Sequence, residues 1–433
     1  MLVTALAALL VASPAGGVFA GPTQANGSTV YWGPAVLGMS KAPHAVYIEA
    51  RASYIHVGYQ REPEDASTEP LYPRETFGII SPVGALTAVA STPWPELRVF
   101  AGVFSPTTAG TRWRTDGPTR YHVTDSTAFA YAAPLGAIWT VSPRVAVAIG
   151  GGPMFVSLDQ QASYDFGAYA NRALPSGAQL FPFEDPELEG SLELDLHGWS
   201  TLVLASVYAK PADNFAIALS GFLPQTPRLG GRLALTAPPS LADAVPVQIA
   251  NPTADFRLTY PIPWALNAEA ELTTGRMTFA LLAQMQGKSR QRLILGRVVT
   301  SDSALLRGDQ VSVRESRNEY TVGLRGSYKL DSGLELASRF DVTPRNTPRE
   351  AVSPLNIDFT LMELNLGARI PLTESITLEA TYGAVLGIPV HVESSIFNPR
   401  ADTLSGFALP SARGDYTVWA QKVIVGCNVA FGG

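Results

Sequence analysis

Cysteine is nearly absent from this chain: Cys427 is the only one in 433 residues. A disulfide framework and a cysteine-built metal centre are excluded on that count. Charge is scarce too, at 16% of residues, against about 25% in ordinary soluble domains. There is no basic run, and a formal net charge of -6 offers nothing to a nucleic-acid backbone. After residue 20 no apolar run reaches the roughly 18 residues of a membrane-crossing helix. The five histidines form no His-x-x-x-His pair, and no Gly-x-Ser-x-Gly elbow is present. Gly150-Gly151-Gly152-Pro153 lacks the Lys-Ser/Thr of a phosphate loop. It reads as room made inside a strand for matter packed against it. No enzyme, cofactor or metal site is expected.

What the chain does have is a leader, an odd apolar stretch and a long series of alternating runs. Residues 1–20 carry a short apolar core, Leu2–Ala12, then Ser13-Pro14 and small residues up to Ala20. This is the pattern of an export signal, with the cut expected after Ala20. Residues 21–44 follow. Val30, Tyr31, Trp32, Pro34, Ala35, Val36, Leu37 and Met39 sit almost together there, broken by small residues into tight turns. So short and apolar a stretch needs an enclosure to bury it.

The enclosure is legible in residues 45–431. In Ala45–Gln60 the odd positions hold Glu49, Arg51 and Ser53, and the even ones Val46, Ile48 and Tyr54. Asn318–Leu330 sets Glu319, Thr321, Arg325 and Lys329 against Tyr320, Val322, Leu324 and Tyr328. Leu355–Pro371 sets Glu363, Asn365 and Arg369 against Met362, Leu364, Leu366 and Ile370. Period two means strand. The runs suit tilted spans of about 9–11 residues across a bilayer. Short turns such as Ser142-Pro143 and Asp331-Ser332-Gly333 alternate with long connections such as 106–120 and 166–195. The count is about fourteen strands, an even number as single-chain outer-membrane barrels have. The expectation is all-β: an antiparallel transmembrane β-barrel with a polar lumen, an apolar exterior and the stretch 21–44 inside it as a small hatch, or plug. A cation at mid-depth on the lipid face would cost about 2–4 kcal/mol, which sends the charged face inward.

With plug and strands both in view, the chain resembles the FadL/TodX family of outer-membrane transporters for long-chain fatty acids and other hydrophobic compounds. Thr29–Leu37 is similar to the family's hatch motif, an aromatic followed by Asn-Pro-Ala and an apolar residue. Here it reads Trp32, Gly33, Pro34, Ala35, with Gly33 replacing the asparagine and offering backbone freedom alone. Leu97–Trp113 resembles the third strand and the loop after it. Gly117–Leu135 matches in Gly-Pro-x-Arg-Tyr, and Glu319–Leu386 resembles the late strands.

The resemblance implies passive uptake of a hydrophobic ligand in the outer membrane of a Gram-negative bacterium. It also implies a monomer that meets outer-membrane lipid and the outer-membrane assembly machinery. Binding would occur within the barrel and exit through a side opening at a kinked third strand, here Gly102, Phe104 and Pro106. Pro106 could equally just end that strand. The loop 166–195 carries Phe166, Tyr169, Leu180, Phe181 and Phe183 and is expected to form a ligand-capturing patch. A general diffusion porin and a structural barrel are the alternatives.

Overall fold

The computed structural model describes residues 17–63, 71–172, 180–242, 251–301, 306, 309–397 and 409–432; the side chain of Tyr169 lies outside the described set. Its strands are β1 (His44–Arg61), β2 (Glu75–Ser91), β3 (Leu97–Arg112), β4 (Asp125–Ala132), β5 (Leu135–Ser142), β6 (Val145–Asp165), β7 (Glu189–Ala212), β8 (Phe215–Phe222), β9 (Arg228–Thr236), β10 (Thr253–Thr259), β11 (Ala265–Thr274), β12 (Met277–Gln286), β13 (Leu293–Ser301), β14 (Asp309–Val313), β15 (Glu319–Lys329), β16 (Glu335–Thr343), β17 (Leu361–Pro371), β18 (Ile376–Gly387), β19 (Val390–Val392) and β20 (Gly414–Phe431). Three short helices accompany them: α1 (Thr29–Trp32), α2 (Phe166–Arg172) and α3 (Pro239–Ala242).

These segments make a closed antiparallel barrel of fourteen staves. Six staves are broken in two: β4/β5, β8/β9, β10/β11, β12/β13, β14/β15 and β18/β19. In the sequence the alternating pattern continues through most of these breaks. Proline explains several, because it cannot donate to a ladder: Pro134, then Pro224 and Pro227, then Pro261 and Pro263, then Pro389. Closure is made by β1, which pairs with β2 on one side and with β20 on the other. The second ladder runs from His44↔Phe431 to Arg61↔Gly414. One barrel end has tight turns. At Thr274↔Met277 the turn has two residues, and Gly275 takes the φ of +57° that such a turn asks for. The other end has the long connections.

The faces divide as alternation demands. Leu324 and Leu364 point out, with Ile48, Leu86, Ile149 and Val423, into what is an apolar exterior. Arg325, Arg339, Asn365 and Lys422 point in and are buried. Inside, the charges pair across strands. Arg325 Nη2 lies 3.1 Å from Glu269 Oε1 and 2.7 Å from Glu271 Oε2. Arg369 holds Glu335 at 2.9 Å and Glu379 at 2.8 Å, and Lys422 pairs with Glu363. Taking charges from water is costly unless partners are this close.

Spin labels at positions 324 and 364 should therefore report lipid, and labels at 325 and 369 a polar lumen. Oxygen and nickel-chelate accessibility would measure this, and the opposite pattern would reject the barrel.

Candidate functional site: the inner segment and the kinked third strand

Residues 17–39 pack inside the barrel, held by side chains from staves around its circumference. Glu269 accepts from Thr23 N at 2.9 Å, and Glu271 from Thr23 Oγ1 at 3.0 Å and Gln24 Nε2 at 2.6 Å. Asn26 Nδ2 donates to Glu379 at 3.1 Å, and Thr87 Oγ1 donates to the Gly27 carbonyl at 2.7 Å. Arg98 closes the far end, donating to the carbonyls of Leu37, Ser40 and Ala42 at 2.9, 2.7 and 3.0 Å. A segment with few side-chain donors is thus gripped largely by its own backbone.

The motif Trp32-Gly33-Pro34-Ala35 lies at the centre of this seat. Trp32, Pro34 and Ala35 are buried. Helix α1 ends at Gly33, whose N–H returns to Thr29 O, and Pro34 opens the following 3-10 turn, Pro34–Met39. Ser220 donates to the Trp32 carbonyl, and Ala35 N donates to Ser206 Oγ at 3.0 Å. A Cβ on residue 33 would sit 2.7 Å from the Ser220 Cβ. Glycine at this position is thus required by the wall: two serines approach where a side chain would stand, and they supply the hydrogen bonds instead. Neither serine was legible beforehand, since a small polar residue on a lumen face looks like any other. Loss of one such bond costs about 0.5–1.5 kcal/mol. Replacing Ser206 and Ser220 together by Ala should loosen the segment and multiply brief openings in single-channel recordings. A trace like the native one would show that the serines do not hold it.

Tyr31 faces the kinked strand. Its ring meets Phe104 edge-on at 5.1 Å, with Trp32 at 5.7 Å and Phe222 at 5.3 Å. Gly102 is still paired with Thr87 of β2, and an added Cβ there would press on Val30 of the inner segment. Phe104 is the last residue of that pairing. The described ladder between β2 and β3 runs from Ser91↔Arg98 to Ala85↔Phe104 and stops. Ser105 and Pro106 then form an irregularity, and from Thr107 to Arg112 β3 pairs with β4. Pro106 therefore does not end the strand, and the connection expected at 106–120 starts only after Arg112.

Above Ala85, β2 stays paired with β1, so the wall parts between β2 and β3. A cavity of about 240 Å³ lies there, lined by Ser81, Val83, Thr108 and Gly110, by Arg51 and Ser53 from the lumen side, and by Tyr131. A second cavity of about 210 Å³ fills the bore above the inner segment. Its lining is apolar at Tyr31, Trp32, Pro106, Met154, Val156 and Leu202, and polar at Gln284, Arg339 and Asp341. Gly136 and Gly150 make room for the Phe100 ring, not for the inner segment as expected of the glycine run.

The expected capture loop is divided. Strand β7 begins at Glu189, so the connection is 166–188. Phe166 is buried against Tyr164, ring to ring at 5.0 Å. Leu180 and Phe181 are exposed, and Phe183 is half-buried. Asn171 presents the exposed pair, accepting from both backbone N–H groups at 3.0 Å.

Long-range pairs tie the loops together at this end, and of their members Arg120 stands in the Gly-Pro-x-Arg-Tyr run. Arg61 pairs with Glu184 at 2.7 Å and Arg120 with Glu189 at 2.7 Å, all four poorly exposed. His122 is buried, donates from Nε2 to the Pro410 carbonyl at 2.8 Å, and has no partner for Nδ1 among the described residues. Burial, with Arg61 nearby, pushes its pKa down to about 3 from 6.5. The undocked imidazole binds a proton below pH 6.5 and the docked one does not until about pH 3. Loop docking is therefore fully stable above pH 6.5 and weakens as pH falls from there. Protease digestion of the loops should accelerate between pH 6.5 and 4.5, and His122→Gln should flatten that dependence. An unchanged digestion rate across this range would reject the role.

A closed barrel encloses a buried amino-terminal segment, with a parted wall beside it. Three solved structures share the fold. A FadL homologue of Pseudomonas aeruginosa superposes with a TM-score of 0.77 at 14% identity, covering 94% of each chain. The toluene transporter TodX of Pseudomonas putida gives 0.67 at 12%, covering 97% of this chain and 99% of that one. The toluene transporter TbuX of Ralstonia pickettii gives 0.65 at 12%, covering 95% and 98%. No family sequence model matches the chain, and no curated protein matches it in sequence.

Proposed function

We propose that this protein is a passive transporter of hydrophobic molecules across the outer membrane of a Gram-negative bacterium, with residues 21–44 as its hatch. The observation that carries the reading is the contact of Tyr31 with Phe104 at the point where the β2–β3 ladder stops. Hatch, bore cavity and wall gap meet there. A molecule held beside Tyr31 and Trp32 has the parted wall as its neighbour. Exposed Leu180 and Phe181 suit first capture at the loop end. A general porin has no use for a segment gripped across its bore by wall side chains from Thr87 and Arg98 round to Glu379.

Lateral release also has an energetic ground. Each buried CH₂ is worth about 0.8 kcal/mol, so a twelve-carbon chain would lose on the order of 10 kcal/mol on entering water. Leaving sideways into the bilayer avoids that loss. Mass spectrometry of cargo carried by the purified protein tests the reading, together with conductance in planar bilayers. Bound acyl or hydrocarbon molecules and small currents are expected. A protein that carries nothing and conducts as an open pore would make it a porin.

A further inference from the structure

The residues just before the hatch belong, by sequence, to the end of the export leader. They are among the most enclosed in the molecule: Val18 is 0% exposed, Phe19 1% and Ala20 2%. Each is bound by the wall. Val18 N donates to Thr381 Oγ1 at 3.2 Å. The Arg369 guanidinium lies 4.3 Å from the centre of the Phe19 ring, a favourable cation–π arrangement. Arg339, already bonded to Asp341 through Nε, gives its Nη1 to the Ala20 carbonyl at 3.0 Å. Asn26 of the hatch reaches back to the Phe19 carbonyl at 3.4 Å.

The wall is shaped for these residues as well as bonded to them. β17 has Gly367 beside Val18, where a Cβ would fall 2.7 Å from Val18 Cγ1. Gly17 turns with a φ of +53°, and its own missing Cβ would meet the Thr381 side chain at 2.5 Å. Cutting after Ala20 would take away the Phe19 ring from Arg369 and the carbonyl from Arg339, leaving a polar socket with a vacated apolar floor.

We infer that the leader is removed upstream of Gly17, and that Gly17–Ala20 are a working part of the mature protein, a second anchor for the hatch on β16, β17 and β18. The inference concerns processing and stands whether or not the cargo is hydrophobic. The leader peptidase of the cell hydrolyses a peptide bond with water, leaving a carboxylate on the leader and an ammonium on the mature chain. It reads small residues at the −3 and −1 positions. Ser13 and Ala15 satisfy this for the Ala15–Gly16 bond, which lies outside the described residues and is read from sequence.

The test is the intact mass and amino-terminal sequence of protein purified from outer membranes after export on its own leader. A chain beginning at Gly16 or Gly17 is expected; one beginning at Gly21 would overturn the inference. A second arm fuses a foreign leader so that the mature chain starts at Gly17 or at Gly21. The Gly21 form should assemble but open severalfold more often in bilayer recordings and lose heat resistance in gel-shift assays. If the two forms behave alike, Gly17–Ala20 are no anchor.

Discussion

Deleting Thr23–Gly38 is expected to convert a nearly silent barrel into a conducting pore. The wall does not depend on this stretch for its own hydrogen bonds. β1 pairs with β2 and β20 along almost its whole length, and the other staves pair with one another. The lumen ion pairs Arg325–Glu269, Arg369–Glu335 and Lys422–Glu363 join wall to wall and survive the deletion. What disappears is the matter across the bore. The carboxylates of Glu269, Glu271 and Glu379 lose their donors on residues 23–26, and water replaces them in a lumen that is already polar. Single-channel current is the readout, and antibiotic sensitivity of whole cells gives an independent one. A deleted chain that never assembles would mean that the stretch belongs to the folding core, and the hatch reading would fall.

Tying β2 to β3 across the gap is expected to abolish transport and leave binding intact. Ser81 and Thr108 both line the gap cavity. Cysteines at these two positions, with Cys427 replaced by Ser, can be joined by a short thiol cross-linker and the joint verified by mass. Cargo should still be found in the purified protein, because the bore cavity beside Tyr31 and Trp32 is untouched. Uptake by whole cells should fall to the level of cells lacking the protein, and recover when a cleavable linker is cut. A bulky residue at Gly102 is a poorer test, since it would strike Val30 and confound gap with hatch. Uptake at the native rate through a verified cross-link would mean that cargo passes down the bore.

Much of the barrel could be read from the chain because lipid and lumen impose opposite demands on neighbouring residues. Arg325 beside Leu324, or Arg369 beside Ile370, fixes both strand and face. The breaks were harder, because alternation resumes within a few residues of them, although between Phe215–Phe222 and Arg228–Thr236 the buried positions switch from even to odd. The prolines at 224 and 227 were the available signal. β7 starts at Glu189, seven residues before the expected 196, although Leu192, Leu194 and Leu196 already alternate with Glu193 and Asp195. The run Gly102–Pro106 was legible as a weak point because proline and glycine are poor strand residues.

What holds the site together was not legible. Ser206 and Ser220 lie 171 and 188 residues from the inner-segment atoms they bind, and Glu184 lies 123 from Arg61. Such pairings depend on the register of staves, which no local pattern carries. Phe166 misled for a related reason. Its apolar character suited capture of a ligand, but the strand before it runs on to Asp165 and tucks the ring into the wall.

The ladder between β1 and β20 has a consequence in time. Its partners are the first eighteen and the last eighteen residues of the wall, His44–Arg61 and Gly414–Phe431. Until the final stave arrives, the rest is an open ribbon with two raw edges, and raw edges recruit other chains. Bringing the two together also requires closing a loop of nearly the full chain, the slowest kind of contact to make. Assembly cannot be finished piecemeal during export; it waits on the last residues to cross. A chain stopped short of Tyr416 would spend its life as an unclosed sheet, and the cell would meet it as an aggregate or as a substrate for proteolysis.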